Sequence, residues 1–495
     1  MIRYLLCFCL MASVYAAPHS KSLFHSLDPH SVRQNLALWE LYPESEGGKL
    51  ALQRACELLD VSQMTLHVLK NCINPFAQKK ELSEQVVVQI EQLASHLPNR
   101  KLAGYSASCE KEILCLSSNQ IDLGKALIFS QFEDGPEAQL QARRYSALLD
   151  LMALRILARL EPDTPAREKI KIINTFIFET LHYRFPPESL YAEKIDKYTF
   201  LASVMDNHLG VCLGVSALYL ALAQRLDLPL KPITPPGHIY LSYVDKEGRV
   251  NIETTARGID IDQERYLTIH THRLHPRTLK EVVGMTHVNE GSSHLHHAEF
   301  EQAASCYEKA LLYIENDLMA SELLAFCYLL LERKNDADPL LQRVAQHPPF
   351  EDQTKGHKMT EDYLAGHVDV GALRAVLMQV DETKESIVEK QEALEAALER
   401  CPNFRDGLFQ MAISHLMLNH TKDALDCLDK LIALDDQDPE IYYYLTVLHG
   451  QRKDFKSAWK HFKRVKELLS AYQYLPAKTL RDLQYQLTLL SPEPE

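Results

Sequence analysis

Apolar residues recur three and four positions apart from Ser20 to about Ser118, as in LALQRACELLDVSQMTLHVL and LSEQVVVQIEQLASHL, and this spacing predicts amphipathic helices. The pattern continues through ALLDLMALRILARLEP, and AREKIKIINTFIFETLHYRF then runs into the break at Pro186 and Pro187. From Cys212 to Ala223 nearly every residue is apolar or small, which predicts a helix buried on all sides. Pro229 forbids its continuation. Next, HIYLSYV and RVNIETT flank DKEG and read as a hairpin. A four-residue loop at 245–248 pairs Val244 with Arg249 and sets Tyr240 opposite Glu253, which makes His238 and Glu253 diagonal neighbours on one face. A slip of one residue would send them to opposite faces.

After Val288 the chain repeats. Ala303, Tyr307 and Ala310 share a helix face, and Ala337, Leu341 and Val344 reproduce that spacing 34 residues later. Ala424, Leu428 and Leu431 are echoed in the same way by Ala458, Phe462 and Val465. A period of 34 is that of the tetratricopeptide repeat (TPR), whose small residues let the two helices of a hairpin approach. Leu394 and Ala397 continue the phase, but Lys390 stands where a small residue belongs, so that repeat is degraded. The step from Ala337 to Ala424 is out of phase, and HPPFEDQTKGHKMTEDYLAGHVDV is expected to interrupt or cap the array. The tyrosines Tyr442, Tyr443 and Tyr444 are expected to fill repeat cores and line a groove.

At 495 residues the chain exceeds what one core supports, and with 46% apolar and 24% charged residues most of it should fold. A net charge of −14 without a clustered basic patch excludes a nucleic-acid surface and leaves proteins or peptides as expected partners. The opening MIRYLLCFCLMASVYAAPHS has one early cation, Arg3, a short apolar run and small residues at Ala16 and Ala17, the layout of an export signal cleaved after Ala16. The run is too short to span a bilayer, so no stable membrane insertion is expected after cleavage. The protein would then be periplasmic or secreted, and cytoplasmic if the signal does not function. Loss of Cys7 and Cys9 leaves nine of the 11 cysteines, an odd number, so at least one thiol stays free. Cys109 with Cys115 and Cys56 with Cys72 are possible local pairs, and no CxxC spacing suggests zinc.

Candidate chemistry sits where the periodicity changes. A cysteine nucleophile needs a base, and the base needs a third group to hold its tautomer. Cys212, His238 and Glu253 occur in that order, with Cys212 at a predicted helix start where the dipole favours a thiolate. The segment KYTFLASVMDNHLGVCLGVSALYLALAQRLDLPLKPITPPGHIYLSY, followed by NIETTARG, resembles the bacterial transglutaminase-like family that carries a C-terminal TPR region. The likeness rests on Gly210, Leu218, Tyr219, Leu220, Ala223, Arg225, Leu226, Pro229, Pro236, Gly237 and His238, and on the spacing of 26 residues from Cys212 to His238. It implies a papain-like fold, with a Cys-bearing helix on a sheet bearing the His and an acid, and a catalytic triad of Cys212, His238 and Glu253. Many relatives of this branch have proline at the cysteine position, whereas this chain keeps Cys212; Glu253 replaces the more usual Asp.

Asn207 and His208, just upstream, either assist an oxyanion or are ordinary loop groups. His270, His272, His275, His287, His294, His296 and His297 form a histidine-rich stretch in which His294 and His297 share a helix side. It reads as solvated surface, and neither a metal nor a cofactor is assigned. The expected fold is mainly α with a central α+β transglutaminase-like domain and a C-terminal TPR solenoid. Its divisions are a signal (1–16), a helical N-terminal region (17–118), the transglutaminase-like domain (119–287), a TPR pair (288–348), an insertion or cap (349–385), further repeats (386–480) and a tail (481–495). Two functions remain open: a thiol acyltransferase or hydrolase acting on protein or peptide amides, with the repeats recruiting a partner, or a non-catalytic scaffold in which Cys212 is structural.

Overall fold

A computed structural model describes residues 17–59, 82–161, 163–187, 195–269, 271, 274, 276–347, 357–381, 383–471 and 477–493. The predicted export signal, Cys72, His270, His272 and His275 lie outside these residues. The fold is mostly helical with one small sheet, and the chain forms two compact units.

The first unit contains helices α1 (Ala17–Ser26), α2 (Val32–Leu41), α3 (Glu46–Leu59), α4 (Glu84–Leu93), α5 (Glu110–Leu114), α6 (Leu123–Phe129), α7 (Pro136–Leu157), α8 (Ala166–Asn174) and α9 (Leu201–Asn207). It also takes the later part of α10 (Cys212–Arg225), from Ala217 onward. Local chemistry starts these helices where they start. Ser31, Ser83 and Asp122 cap α2, α4 and α6 by accepting from backbone N–H groups, and Pro136 supplies the preset φ of a first helical position. Along α7 Ala138, Ala142, Tyr145, Leu149, Met152 and Ile156 are buried, the 3–4 spacing of a core-facing stripe.

Leu213 to Ala223 of α10 are all buried, as their unbroken apolar run predicts. The helix ends in a fully buried cation. The Arg225 guanidinium bonds Asp150 Oδ1 at 2.7 Å, the Ser146 hydroxyl at 3.1 Å and the Ala221 carbonyl at 3.1 Å, and stands 3.5 Å from Asp122. Arg100 reaches the other oxygen of Asp150. Two cations thus face two buried carboxylates, and removing one partner strands the others in a low dielectric.

The second unit holds residues 186–199, 211–216 and everything after 230. Its sheet is antiparallel in the order β1 (Lys231–Ile233), β2 (Tyr240–Asp245), β3 (Gly248–Ile252). Val244 pairs with Arg249 as expected, but Asp245 also pairs with Gly248, so the loop is two residues rather than four. Asp245 Oδ1 accepts from the Glu247 N–H at 2.9 Å, and Gly248 takes a φ of +120°, which lets the tighter turn close.

Beyond the sheet come helical hairpins: α11 (Leu279–His296) with α12 (Phe300–Tyr313), α13 (Leu318–Leu330) with α14 (Lys334–Gln346), α18 (Arg405–Met417) with α19 (Thr421–Leu434), and α20 (Pro439–Gln451) with α21 (Phe455–Ala471), the later two flanked by α17 (Lys384–Arg400) and α22 (Ala477–Leu490). Ala303, Tyr307, Ala310, Ala337, Leu341 and Val344 are completely buried, so the 34-residue period marks core positions. Gly291 lets α11 lie against α12: a Cβ there would come within 3.0 Å of the Tyr307 ring. The residues of 349–385 that are described include two short helices, α15 (Lys358–Leu364) and α16 (Val370–Leu377). Asp362 of α15 holds Arg405 at 2.8 Å, and Lys358 bonds Asp435 at 2.7 Å, so this segment is pinned to the later repeats by charge. Lys390 is buried too, its ammonium donating to the Val376 carbonyl at 3.2 Å and to Gln410 at 3.3 Å, which explains how the array absorbs a lysine at a small-residue position.

Replacing Arg225 with Met should cost about 3–5 kcal/mol, because Asp122 and Asp150 lose their shared cation. A lowered urea midpoint in the variant, read by circular dichroism, checks this.

Candidate active site

Three local devices aim the three predicted side chains. Cys212 is the first residue of α10, and the preceding Val211 is fixed by its N–H to the Tyr198 carbonyl at 3.1 Å. His238 follows a tight turn in which its N–H bonds the Pro235 carbonyl at 3.1 Å while Gly237 sits at φ +67°, a conformation that suits glycine. Glu253 leaves the end of β3 into a one-turn 3-10 helix, its carbonyl accepting from Ala256 and Gly258. Thr254 beside it ties this strand end to the helix tip, donating to the Cys212 carbonyl at 3.4 Å and meeting the Ser216 hydroxyl at 3.0 Å.

These devices bring the three side chains together within the second unit. His238 Nε2 lies 2.7 Å from Glu253 Oε2, and Cys212 lies close enough to favour the charged imidazole. With Nε2 occupied by the acid, Nδ1 is the nitrogen left for proton exchange with sulfur. The predicted meeting of His238 and Glu253 is therefore present, although His238 precedes β2 and Glu253 follows β3, so the two meet beyond the ladder rather than across it.

Sequence reasoning missed the groups that hold the acid. Glu253 Oε1 accepts from the Thr255 N–H at 3.0 Å and the Thr255 hydroxyl at 2.6 Å, and Oε2 accepts from the Tyr266 phenol as well as from His238. Tyr266 stacks on Tyr240, ring centres 4.6 Å apart, and on His238 at 5.6 Å. Thr255 was readable as a hydroxyl two residues past an acid, a common local turn. Tyr266 arrives through a loop and leaves no sequence signal.

This satisfaction sets the charges. Burial opposes ionisation of Glu253, but hydrogen bonds from His238, Thr255 and Tyr266 outweigh it and hold the carboxyl down at about 2. Burial also opposes a charged imidazole, yet the hydrogen bonds and charges of Cys212 and Glu253 push His238 up to about 10.

Cys212 and His238 border a cavity of about 870 Å³. Arg265, Asn289 and Asp317 line its wall, and Glu440, Tyr443 and Tyr444 of α20 line it from the repeats. The expectation for the tyrosines divides: Tyr442 packs in the repeat core, while its two successors face the cavity. Asn207 and His208 are spoken for elsewhere. The Asn207 amide donates to the Ser203 carbonyl at 2.8 Å, and the His208 ring bonds the Leu181 carbonyl at 2.7 Å and stacks on Tyr183. Cys109 and Cys115 are separate free thiols, as is Cys56.

A helix-tip cysteine and a histidine border the cavity, and the acid bonds the histidine. Residues 143–285 match the family model of the transglutaminase-like superfamily, and the chain carries a transglutaminase-like domain there. No curated protein matches the chain. Among solved structures it is similar to a thermophilic TPR protein of Thermus thermophilus, with 18% identity over 42% of this chain and 98% of that one and a TM-score of 0.22. It is also similar to MamA from Desulfovibrio magneticus, with 17% identity over 38% and 96% and a TM-score of 0.20. The repeat assignment rests on the buried 34-residue pattern itself.

The pair's pH dependence follows from the two shifts. His238 contributes stability that is complete below its ordinary 6.5 and lost as pH rises through about 10. Glu253 contributes stability present above its ordinary 4.5 and lost as pH falls through about 2. The contribution should be flat between these ordinary values, and Glu253→Gln should bring the His238 titration down toward 6.5, measured by NMR of the imidazole.

Proposed function

We propose that the protein is a thiol acyltransferase or hydrolase of transglutaminase-like type, acting on protein or peptide amides presented along the repeats. The observation that carries this reading is the 2.7 Å bond that engages His238 Nε2 with Glu253 beside the cavity that His238 and Cys212 both line. In the reaction His238, held charged by Glu253 and Cys212, already carries on Nδ1 the proton that faces sulfur, and Sγ attacks the carbonyl carbon of a carboxamide or peptide bond. The first-turn amides of α10, which lack intrahelical partners, receive the oxyanion. The C–N bond then breaks, the leaving amine takes the proton from His238, and a thioester remains on Cys212. An amine or water attacks that thioester, gives its proton to His238 and releases the sulfur. Glu253 stabilises the imidazolium in both halves. No metal or cofactor enters these steps.

The cavity supports a role for the repeats in substrate choice, since Tyr443, Tyr444 and Glu440 share it with Cys212. Two aromatic faces beside a carboxylate suit an apolar residue flanked by a cation in a bound polypeptide. Export is part of the proposal, and the apolar leader supports it. Sequencing the mature N-terminus tests it, with Ala17 expected as the first residue.

Iodoacetamide labelling over a pH series tests the chemistry. Cys212 should react well below pH 8, and His238→Ala should slow it by about tenfold or more. An inert Cys212 in the folded protein would favour the non-catalytic scaffold. Tyr444→Ala should raise KM for a polypeptide substrate by about fivefold and leave kcat nearly unchanged, because the ring contacts substrate away from the reacting atoms.

A further inference from the structure

One member of the histidine-rich stretch, His294, which the sequence alone assigns to solvated surface, joins a mixed donor cluster apart from the candidate active site. Glu290 and His294 lie one turn apart on α11, and Cys306 of α12 faces them. One oxygen, one nitrogen and one sulfur from these residues all lie within 4.8 Å of one another. His297, the partner that helix periodicity suggested for His294, instead bonds the Ser293 carbonyl at 2.9 Å. Glu290, four residues before His294, is the carboxylate that the sequence reading passed over.

We propose that Glu290, His294 and Cys306 bind a zinc ion that clips the first two repeat helices together. The donor set is mixed N, O and S, which suits zinc and disfavours magnesium or calcium, both of which require oxygen shells. Zinc bonds of about 2.0 Å to N and O and about 2.3 Å to S place tetrahedral donors roughly 3.5 Å apart, a small contraction of the present cluster. Water takes the fourth position. His294 is also oriented as a metal ligand: its Nδ1 is 2.5 Å from Glu299, which leaves Nε2 as the donor and supplies the carboxylate that zinc-bound imidazoles commonly use.

His287 stands behind, with Nδ1 3.4 Å from Glu290, and steadies the carboxylate. A second grouping, His415, His420 and Asp423, has two exposed members and no sulfur, and carries no such argument.

The test uses full-length, chelator-treated protein carrying Cys212→Ser, so that the active-site thiol cannot contribute. One equivalent of Co²⁺ should produce a thiolate-to-cobalt charge-transfer band, and Cys306→Ser should abolish it. His294→Ala and the surface variant Glu299→Gln should each weaken Zn²⁺ binding by about tenfold or more while circular dichroism shows a native fold. Zn²⁺ should also raise the Tm of the parent and not that of His294→Ala. The proposal fails if no charge-transfer band forms, if the band survives Cys306→Ser, or if Glu299→Gln binds Zn²⁺ as tightly as the parent. The Cys212 chemistry is untouched by any of these results.

Discussion

A carboxylate buried as deeply as Glu253 either finds enough donors or gives up its charge. It finds four, from His238, Tyr266 and the two donors of Thr255, and remains anionic. Its charge then fixes the imidazole: one ring nitrogen is engaged, the ring plane is held against Tyr266, and the other nitrogen is left for Cys212. Thr254, adjacent in sequence, binds the backbone of Cys212 at the same time. Acid, base and thiol are therefore positioned by two consecutive residues at the end of one strand, and the longer side chain of Glu in place of Asp is accommodated by this shell of donors.

The second constraint is steric. Small residues in the repeats, Ala303, Ala310, Ala337, Ala424 and Ala458, are completely buried and allow helices to approach at each hairpin. The stacking brings α20 to the rim of the cavity that Cys212 and His238 share, so repeat packing sets part of the surface beside the sulfur. The ion pairs of Lys358 and Arg405 with Asp435 and Asp362 join the out-of-phase segment to that array. In the first unit, the Arg225 cluster supplies the corresponding anchor at the far end of α10.

Periodicity made much of this legible. The helix from Cys212, the hairpin register and the repeat phase all follow from patterns repeating every two, 3.6 or 34 residues. What escaped was whatever depends on tertiary approach. Tyr266 reaches Glu253 from a loop, Tyr443 and Tyr444 come from a helix far along the chain, and Cys306 meets Glu290 only because two helices touch. The two-residue turn escaped for a different reason: Asp245 and Gly248 can either close a longer loop or extend the ladder, and the extra pairing favours the ladder. Lys390 looked like a defect because its partners, Val376 and Gln410, lie on neighbouring helices.

The central claim is that Cys212 carries an acyl group during turnover. Intact-mass and peptide-mapping spectrometry after rapid acid quench, with a library of carboxamide-containing polypeptides as substrate, reads this directly. The account predicts a thioester on Cys212 that hydroxylamine removes and that accumulates when amine acceptors are withheld. Turnover of such substrates with no adduct on Cys212, or an unchanged rate in Cys212→Ala, would contradict it.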